Sequence, residues 1–391
     1  MSIKETVRQK IPDVFWMRSL LAKLKLRQYY RYVMPEAEID AAEADPQVKA
    51  QTVKKYAAQW AEYAAKAEKN IGEIMKKAPD YRNRQDDQAL HTDMLFCRFA
   101  YGFQPDEYLC FHLEGKTKAE KRAFVSDIDR FRYVVRMNDV VDFVIFMDKA
   151  RTYQVFKDYY RREAISISRP EHLDRFRDFV GRHPVFVKKQ VDMSKGDSVA
   201  LVDTSTCGKT VDALFNEMIG LGKHILEERI IQSPEMARLN PTSVNTVRCI
   251  TFNTKSGIVV PFCFMKAGRG GSFIDNAGKG GLLGGIDVRT GICGTDGFDE
   301  TAGQYRFHPE TNIEFKGFQI PEWDRMIATC KEMSAKMPNV RFIGWDMAHT
   351  KDGWITVEGN GASQMIVPQI VWQRGIKADV EEYLKDMTLL A

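Results

Sequence analysis

Beyond residue 245 the chain becomes a succession of β-prone runs joined by short glycine-bearing turns, and this stretch limits the fold more than any other. Residues 246–253 and 258–266 flank Thr254-Lys255-Ser256-Gly257, and residues 286–289 and 292–294 flank Thr290-Gly291. Glycine supplies the positive φ that tight hairpin turns need. A helix is predicted over 323–336 and a last hairpin over 341–360. Upstream, 164–168, 185–191, 198–203 and 224–230 read as short strands, separated by helices at 171–180 and 211–221. The first third reads as helical. Residues 48–77 are rich in Ala, Lys and Glu and repeat Tyr56, Trp60, Tyr63 and Ala64 at helical spacing. Pro79 ends that run, and further helices are predicted over 88–99 and within 116–137. Strands and helices mixed in this way, with mainly antiparallel hairpins, give an α+β architecture. The expected organisation is a helical N-terminal region over 1–140, a lobe over 141–230 and a second lobe over 231–391.

A chain of 391 residues with 44% apolar and 28% charged side chains can bury a sizeable core. Its net charge of +4 is too mild for the basic stripe of a nucleic-acid binder, so no nucleic-acid partner is expected. It suits attraction of a polyanionic nucleotide. The seven cysteines are scattered with no C-x-x-C spacing, which argues against a disulfide framework or zinc site and for a reducing compartment. No signal-peptide pattern or membrane-spanning apolar run is read, so a cytoplasmic location is expected. Residues 15–34 alternate Trp16, Leu20, Leu21, Leu24 and Leu26 with Arg18, Lys23, Lys25, Arg27 and Arg31. Such a helix could lie on an anionic membrane surface. The commoner arrangement is a helix packed on the domain with a solvated basic face, and that is the expectation.

The hairpin at 341–360 concentrates oxygen-bearing side chains: Asp346, Glu358 and Asn360. With Lys351-Asp352-Gly353 as a three-residue loop, Thr350 pairs with Trp354, Ala348 with Thr356 and Asp346 with Glu358. Alternation then puts Glu358 and Asn360 on one face. Paired carboxylates repel, and a hard divalent cation such as Mg²⁺ relieves that repulsion through oxygen ligands. A two-residue loop, Asp352-Gly353, would instead place Asp346 and Glu358 on opposite faces. The pattern alone leaves an exposed polar hairpin equally open. No Ser/His/Asp or Cys/His constellation is present.

Three stretches in order, Ser243-Val244-Asn245-Thr246-Val247-Arg248, Ile343-Gly344-Trp345-Asp346-Met347-Ala348 and Val357-Glu358-Gly359-Asn360, resemble the sugar-transfer-associated ATP-grasp proteins. The likeness runs over residues 138–369, with a weaker echo at Tyr101-Gly102-Phe103. It implies two α+β lobes gripping ATP, with Mg²⁺ at Asp346, Glu358 and Asn360. It further implies that Lys149 and Lys188 reach the phosphates, with Lys189 standing where many relatives have Pro. The loop containing Ser194 would close over the phosphates. Glu227, Glu228 and Ile230 form the implied hinge, where the Glu228 carbonyl and Ile230 N–H meet adenine, and Glu235 matches a ribose-binding position. Glu227 also reads as a solvated strand-end residue. Arg248 would hold a phosphate or acyl-phosphate oxygen bidentately. The glycine-rich stretch 266–285 is no Walker P-loop, since it lacks Gly-Lys-Ser/Thr and no helix follows. By resemblance it flanks the phosphates and acceptor, with Arg269, Asn276 and Lys279 as contacts.

The resemblance implies an ADP-forming carboxylate–amine ligase that works through an acyl phosphate. Small-molecule carboxylate and amine substrates follow, a sugar-linked or uronic-acid carboxylate in glycan biosynthesis by association alone. A small-molecule kinase is the first alternative. The second is a non-catalytic ATP-binding partner of a glycosyltransferase assembly, for which the helical N-terminal region and basic 15–34 stretch speak. Oligomeric state is not set by the sequence.

Overall fold

The computed structural model describes residues 15–191 and 199–390. Ser194, expected in the phosphate loop, lies outside the described residues. Two antiparallel sheets organise the rest. The smaller comprises β1 (Ala164–Ile167), β2 (Val185–Gln190), β3 (Ala200–Asp203) and β4 (His224–Glu228), in the order β1-β4-β2-β3. The larger comprises β5 (Thr246–Thr254), β6 (Gly257–Ala267), β7 (Leu282–Asp287), β8 (Ile292–Phe298), β9 (Gln304–Tyr305), β10 (Phe342–Thr350) and β11 (Gly353–Asn360). Its order is β11-β10-β5-β6-β7-β8-β9. The α+β architecture and the expected hairpins are present.

Each sheet is covered according to side-chain alternation. On the smaller sheet Ile165, Ile167, Phe186 and Leu226 share a core with Phe176 and Phe179 of helix Leu173–Arg182 and Leu214, Phe215 and Met218 of helix Val211–Gly220. One face of the larger sheet presents Val247, Cys249, Met265, Trp345 and Met347 to Phe156 of helix Lys149–Tyr160 and to Met326, Cys330 and Met333 of helix Trp323–Ala335. Helix Lys149–Tyr160, placed by sequence in the first lobe, therefore shares the larger sheet's core. The other face carries Ile250, Phe252, Phe262 and Phe264, which join one core with Phe96, Phe103 and Phe111 of the N-terminal helical region and with the C-terminal helices Ile366–Trp372 and Lys377–Lys385.

The helix expected over 48–77 is two helices, Pro46–Gln59 and Ala61–Lys77, broken at Trp60 (φ −116°, ψ 46°). The indole packs against Tyr56, Tyr32 and Phe99, with centroids 4.4, 5.5 and 5.7 Å away. Tertiary packing of a large aromatic overrides a modest local propensity. Asn138, where the helical region ends, bonds to the larger sheet. Its amide nitrogen donates to the Phe342 and Gly361 carbonyls at 2.9 and 2.6 Å, and its oxygen accepts the Phe342 N–H at 2.8 Å. The helical region thus anchors both ends of the hairpin's open side.

Candidate functional site

The β10–β11 hairpin pairs Asp346 with Glu358 and Gly344 with Asn360, as the sequence suggests, but by another route. Thr350 pairs with Gly353, so Lys351-Asp352 is the loop, and Met347 pairs with Thr356. That turn alone would separate the two carboxylates by parity. A register shift between Asp346 and Met347 leaves Val357 as an extra residue and restores the pairing. Gly353 takes φ +96°, the positive value expected of it. The shift also moves Ile355 opposite Ala348, onto the Asp346 face, rather than to the core face with Trp345. The bulge is held from the side by Arg162, whose guanidinium donates to the Thr356 carbonyl at 2.6 Å and the Val357 carbonyl at 3.3 Å. Both carbonyls therefore gain a charged donor where the ladder is interrupted.

Asp346 is buried, and its oxygens are already engaged. Arg248 grips it bidentately, Nε to Oδ1 at 2.5 Å and Nη2 to Oδ2 at 2.6 Å. Lys266 approaches Oδ1 at 3.1 Å. Burial alone would raise the carboxyl, but Arg248 and Lys266 outweigh it and hold it below the ordinary carboxylate value. Gly344 makes room for this cluster. A Cβ there would fall 2.1 Å from Ser363 Oγ and 3.0 Å from Arg248 Cδ, and Ser363 Oγ accepts from Arg248 Nη1 at 3.3 Å. Behind Lys266 sits buried Asp275, 3.8 Å from its ammonium, accepting the Thr246 N–H at 2.9 Å and the Thr246 hydroxyl. Burial pushes the Asp275 carboxyl up, against the pull of Lys266.

Glu358 and Asn360 differ from Asp346. Among the described residues, Glu358 has no side-chain hydrogen bond or ion pair, and the Asn360 amide nitrogen is buried without a partner. A buried amide left unpaired is costly unless a ligand completes it. The Glu358 carboxylate and the Asn360 amide oxygen, both half-buried, fit a divalent cation, whereas the unpaired Asn360 N–H fits an anionic oxygen such as a phosphate's. Asp346 as a metal ligand would need Arg248 or Lys266 to release an oxygen. No cluster of three His, Cys, Asp or Glu side chains suited to a metal exists among the described residues, so an oxygen site here depends on Asn360 and on the ligand's own oxygens.

The smaller sheet contributes a second charged cluster. Strand β2 bears consecutive lysines on opposite faces. Lys188 lies opposite Leu226 and on the Phe186 face, the one covered by helices. Lys189 lies on the other face and pairs with buried Glu227 at 2.8 Å. Glu227 also binds Arg162 at 2.5 Å, so it is not the solvated strand-end residue that sequence also allowed. Burial alone would raise its carboxyl, but Lys189 and Arg162 hold its pKa at about 2. Burial pushes the Tyr160 phenol well up, and the charges of Glu227, Glu358 and Asp346 add to it against the pull of Arg162. The hinge cluster and the hairpin therefore converge around Tyr160, linked by Arg162.

The remaining expected residues are more dispersed. Glu228 ends β4, where its N–H donates to the Glu163 carbonyl at 2.9 Å and its carboxylate accepts the Glu163 N–H at 3.1 Å. No described group accepts the Ile230 N–H. Glu235 is exposed on the short helix Pro234–Ala237, behind Ser233, whose hydroxyl lies 2.8 Å from His349 Nδ1. Lys149 opens helix Lys149–Tyr160 just after its cap, Asp148. In the glycine-rich stretch Arg269 donates to the Tyr305 hydroxyl at 2.7 Å and pairs with Asp299 at 3.4 Å. The Asn276 side chain caps a short turn by accepting the Gly278 N–H at 2.9 Å. Lys279 is exposed on that turn. A hollow of about 920 Å³ lies along edge strand β1, lined by Arg161, Arg162, Arg175, Arg182 and Glu228 among others, and does not include Asp346, Glu358 or Asn360.

The sequence of residues 129–384, which carries both sheets, matches a known family, described as sugar-transfer associated ATP-grasp. The chain belongs to that family. Among solved structures, the chain is similar to the ATP-grasp ligase PsnB complexed with minimal precursor, at 11% identity, TM-score 0.39 and 64% coverage of each chain. It is also similar to the D-alanine-D-alanine ligase from Coxiella burnetii, at 12% identity, TM-score 0.36, covering 72% of this chain and 64% of that one. A third is the D-alanine–D-alanine ligase from Bacillus anthracis, at 13% identity, TM-score 0.39, covering 64% of this chain and 70% of that one. The chain spans just under two thirds of the first two. No curated protein matches it. The sequence singles out Lys189 only as the alternative to Lys188, and it does not single out Lys266, Asp275 or Arg162, which the structure places beside the expected residues. Lys266 had a visible signal, a lone cation ending an apolar strand on the parity of Arg248; Arg162 had none.

Proposed function

We propose that the protein is an ATP- and Mg²⁺-dependent ligase that joins a carboxylate to an amine through an acyl phosphate and releases ADP. The observation that carries this reading is the hairpin face, where Glu358, which has no side-chain partner among the described residues, and the half-buried Asn360 amide, whose oxygen suits a cation and whose unpaired N–H suits a phosphate oxygen, stand beside Asp346, Arg248 and Lys266. Glu358 and Asn360 would hold Mg²⁺, with Asp346 as the charged neighbour that orients Arg248. ATP with Mg²⁺ supplies an activated phosphoryl group and compensates its charge. Arg248 and Lys266 present fixed positive charge to anionic oxygens, and Lys189 does so from the opposite sheet. Such positioning and charge stabilisation need no nucleophile from the protein. The open Ile230 N–H supports an adenine contact at the hinge. The family's name supports a sugar-linked or uronic-acid carboxylate as the acid.

The test is ADP release. It should require both an acid, screened first among uronic acids, and an amine. ADP release with a hydroxyl acceptor and no amine would replace the reading with a kinase. Nucleotide binding without turnover under any acceptor would leave a non-catalytic ATP-binding partner.

A further inference from the structure

We propose that helix Phe15–Leu26 docks this protein on an anionic lipid surface. Among the described residues the helix is fastened through one side. Ala22 and Leu26 are buried against Val135 and Leu390, and Arg18 pairs with Asp139 and Asp142. At ~100° per residue, Trp16, Leu20 and Leu24 fall on the side away from Ala22 and Leu26. They are 64%, 50% and 50% exposed. Phe15, Tyr30 and Val33 nearby are also exposed, at 52%, 53% and 52%. A contiguous apolar ridge of this kind is unusual on a solvated helix and marks an interaction surface.

Charge identifies the occupant. Lys23, Lys25, Arg27 and Arg31 are exposed, and none forms a salt bridge among the described residues. No acidic residue occurs between Phe15 and Pro35. The nearest carboxylates on the neighbouring helix Asp127–Met137 are already paired, Asp127 with Arg130 and Asp129 with Arg132 and Lys377. Among the described residues, the ridge thus lies beside cations that no carboxylate pairs. A second copy of the same patch would set cation against cation. An anionic bilayer offers both a headgroup charge and an apolar layer, with Trp16 and Tyr30 suited to the boundary. At 1.5 Å per residue the helix is about 18 Å long, short of the ~30 Å apolar core, so it would lie in the interface rather than span it. No helix among the described residues is long and apolar enough to cross a membrane.

The full chain is sedimented with vesicles of phosphatidylcholine alone and with phosphatidylglycerol added. It should bind the mixed vesicles and not the neutral ones, and added salt should weaken binding. Lys23→Gln, Lys25→Gln and Arg27→Gln should each reduce affinity about fivefold, and Leu20→Ser/Leu24→Ser should abolish it. These side chains face solvent, so thermal unfolding should be unchanged. Absence of binding to the mixed vesicles overturns the proposal, as does equal binding to neutral ones. So does a dimer in sedimentation velocity that Leu20→Ser/Leu24→Ser breaks while vesicle binding is missing. This test is independent of ADP release, so either reading can fail alone.

Discussion

Arg162→Ala removes the side chain that ties the hinge strand to the hairpin bulge, and its effect can be worked from the structure. The Glu227 carboxyl sits at about 2 against an ordinary value of 4.5. That depression is worth ~3 kcal/mol in favour of the ionised form. Lys189 and Arg162 share it, so losing Arg162 forfeits roughly 1–2 kcal/mol. The Thr356 and Val357 carbonyls, which Arg162 reaches at 2.6 and 3.3 Å, lose their donor at ~1 kcal/mol each. The sum is ~3–4 kcal/mol, within the range for breaking a buried pair. Urea unfolding of wild type and variant at a series of pH values measures it. A depressed folded-state pKa stabilises above the unfolded value and loses that contribution as pH falls through the folded one. The gap should therefore be full at neutral pH and narrow to ~2 kcal/mol as pH falls from about 4.5 to about 2. A gap below ~1 kcal/mol at neutral pH, or one independent of pH, would refute the coupling.

Glu358→Gln and Asn360→Ala should abolish turnover yet shift unfolding by less than ~0.5 kcal/mol, since neither side chain holds a partner in the fold; a large loss of stability in urea titration would mean these groups are structural. Lys189→Ala should weaken nucleotide binding severely by calorimetry and Lys188→Ala little, and the reverse order would reassign the cleft face of β2. Gly344→Ala places a Cβ 2.1 Å from Ser363 Oγ and should destabilise by ~1–3 kcal/mol, with ADP release falling in parallel; a wild-type melting curve would contradict that packing. Arg248→Lys keeps charge but loses the two-point grip on Asp346, and a drop in turnover of at least tenfold is expected in steady-state kinetics.

Much of this was legible in the sequence. Glycine-marked turns placed the hairpins. The Asp346–Glu358 pairing was reached from a three-residue turn, whereas the chain uses Lys351-Asp352 and repairs the parity with a bulge at Val357. An inserted residue leaves no mark on a two-residue period, so no local pattern could show it. The choice between Lys188 and Lys189 stayed open in the sequence for a related reason. Consecutive lysines on a strand are told apart only by register, which β4 and the covering helices set. Glu227 looked solvated because its cations, Lys189 and Arg162, come from other elements. Trp60 breaks a run of good helix formers through aromatic contacts with Tyr32 and Phe99, which are distant in sequence.

The central claim is that Glu358 and Asn360 hold a metal-bound nucleotide on the hairpin face. Titration calorimetry with a non-hydrolysable ATP analogue, with Mg²⁺ and then with excess chelator, tests it most directly. Wild type should bind tightly only with Mg²⁺, and Glu358→Gln/Asn360→Ala should lose that dependence together with the affinity. Equal binding by wild type and variant, with or without the metal, would contradict it.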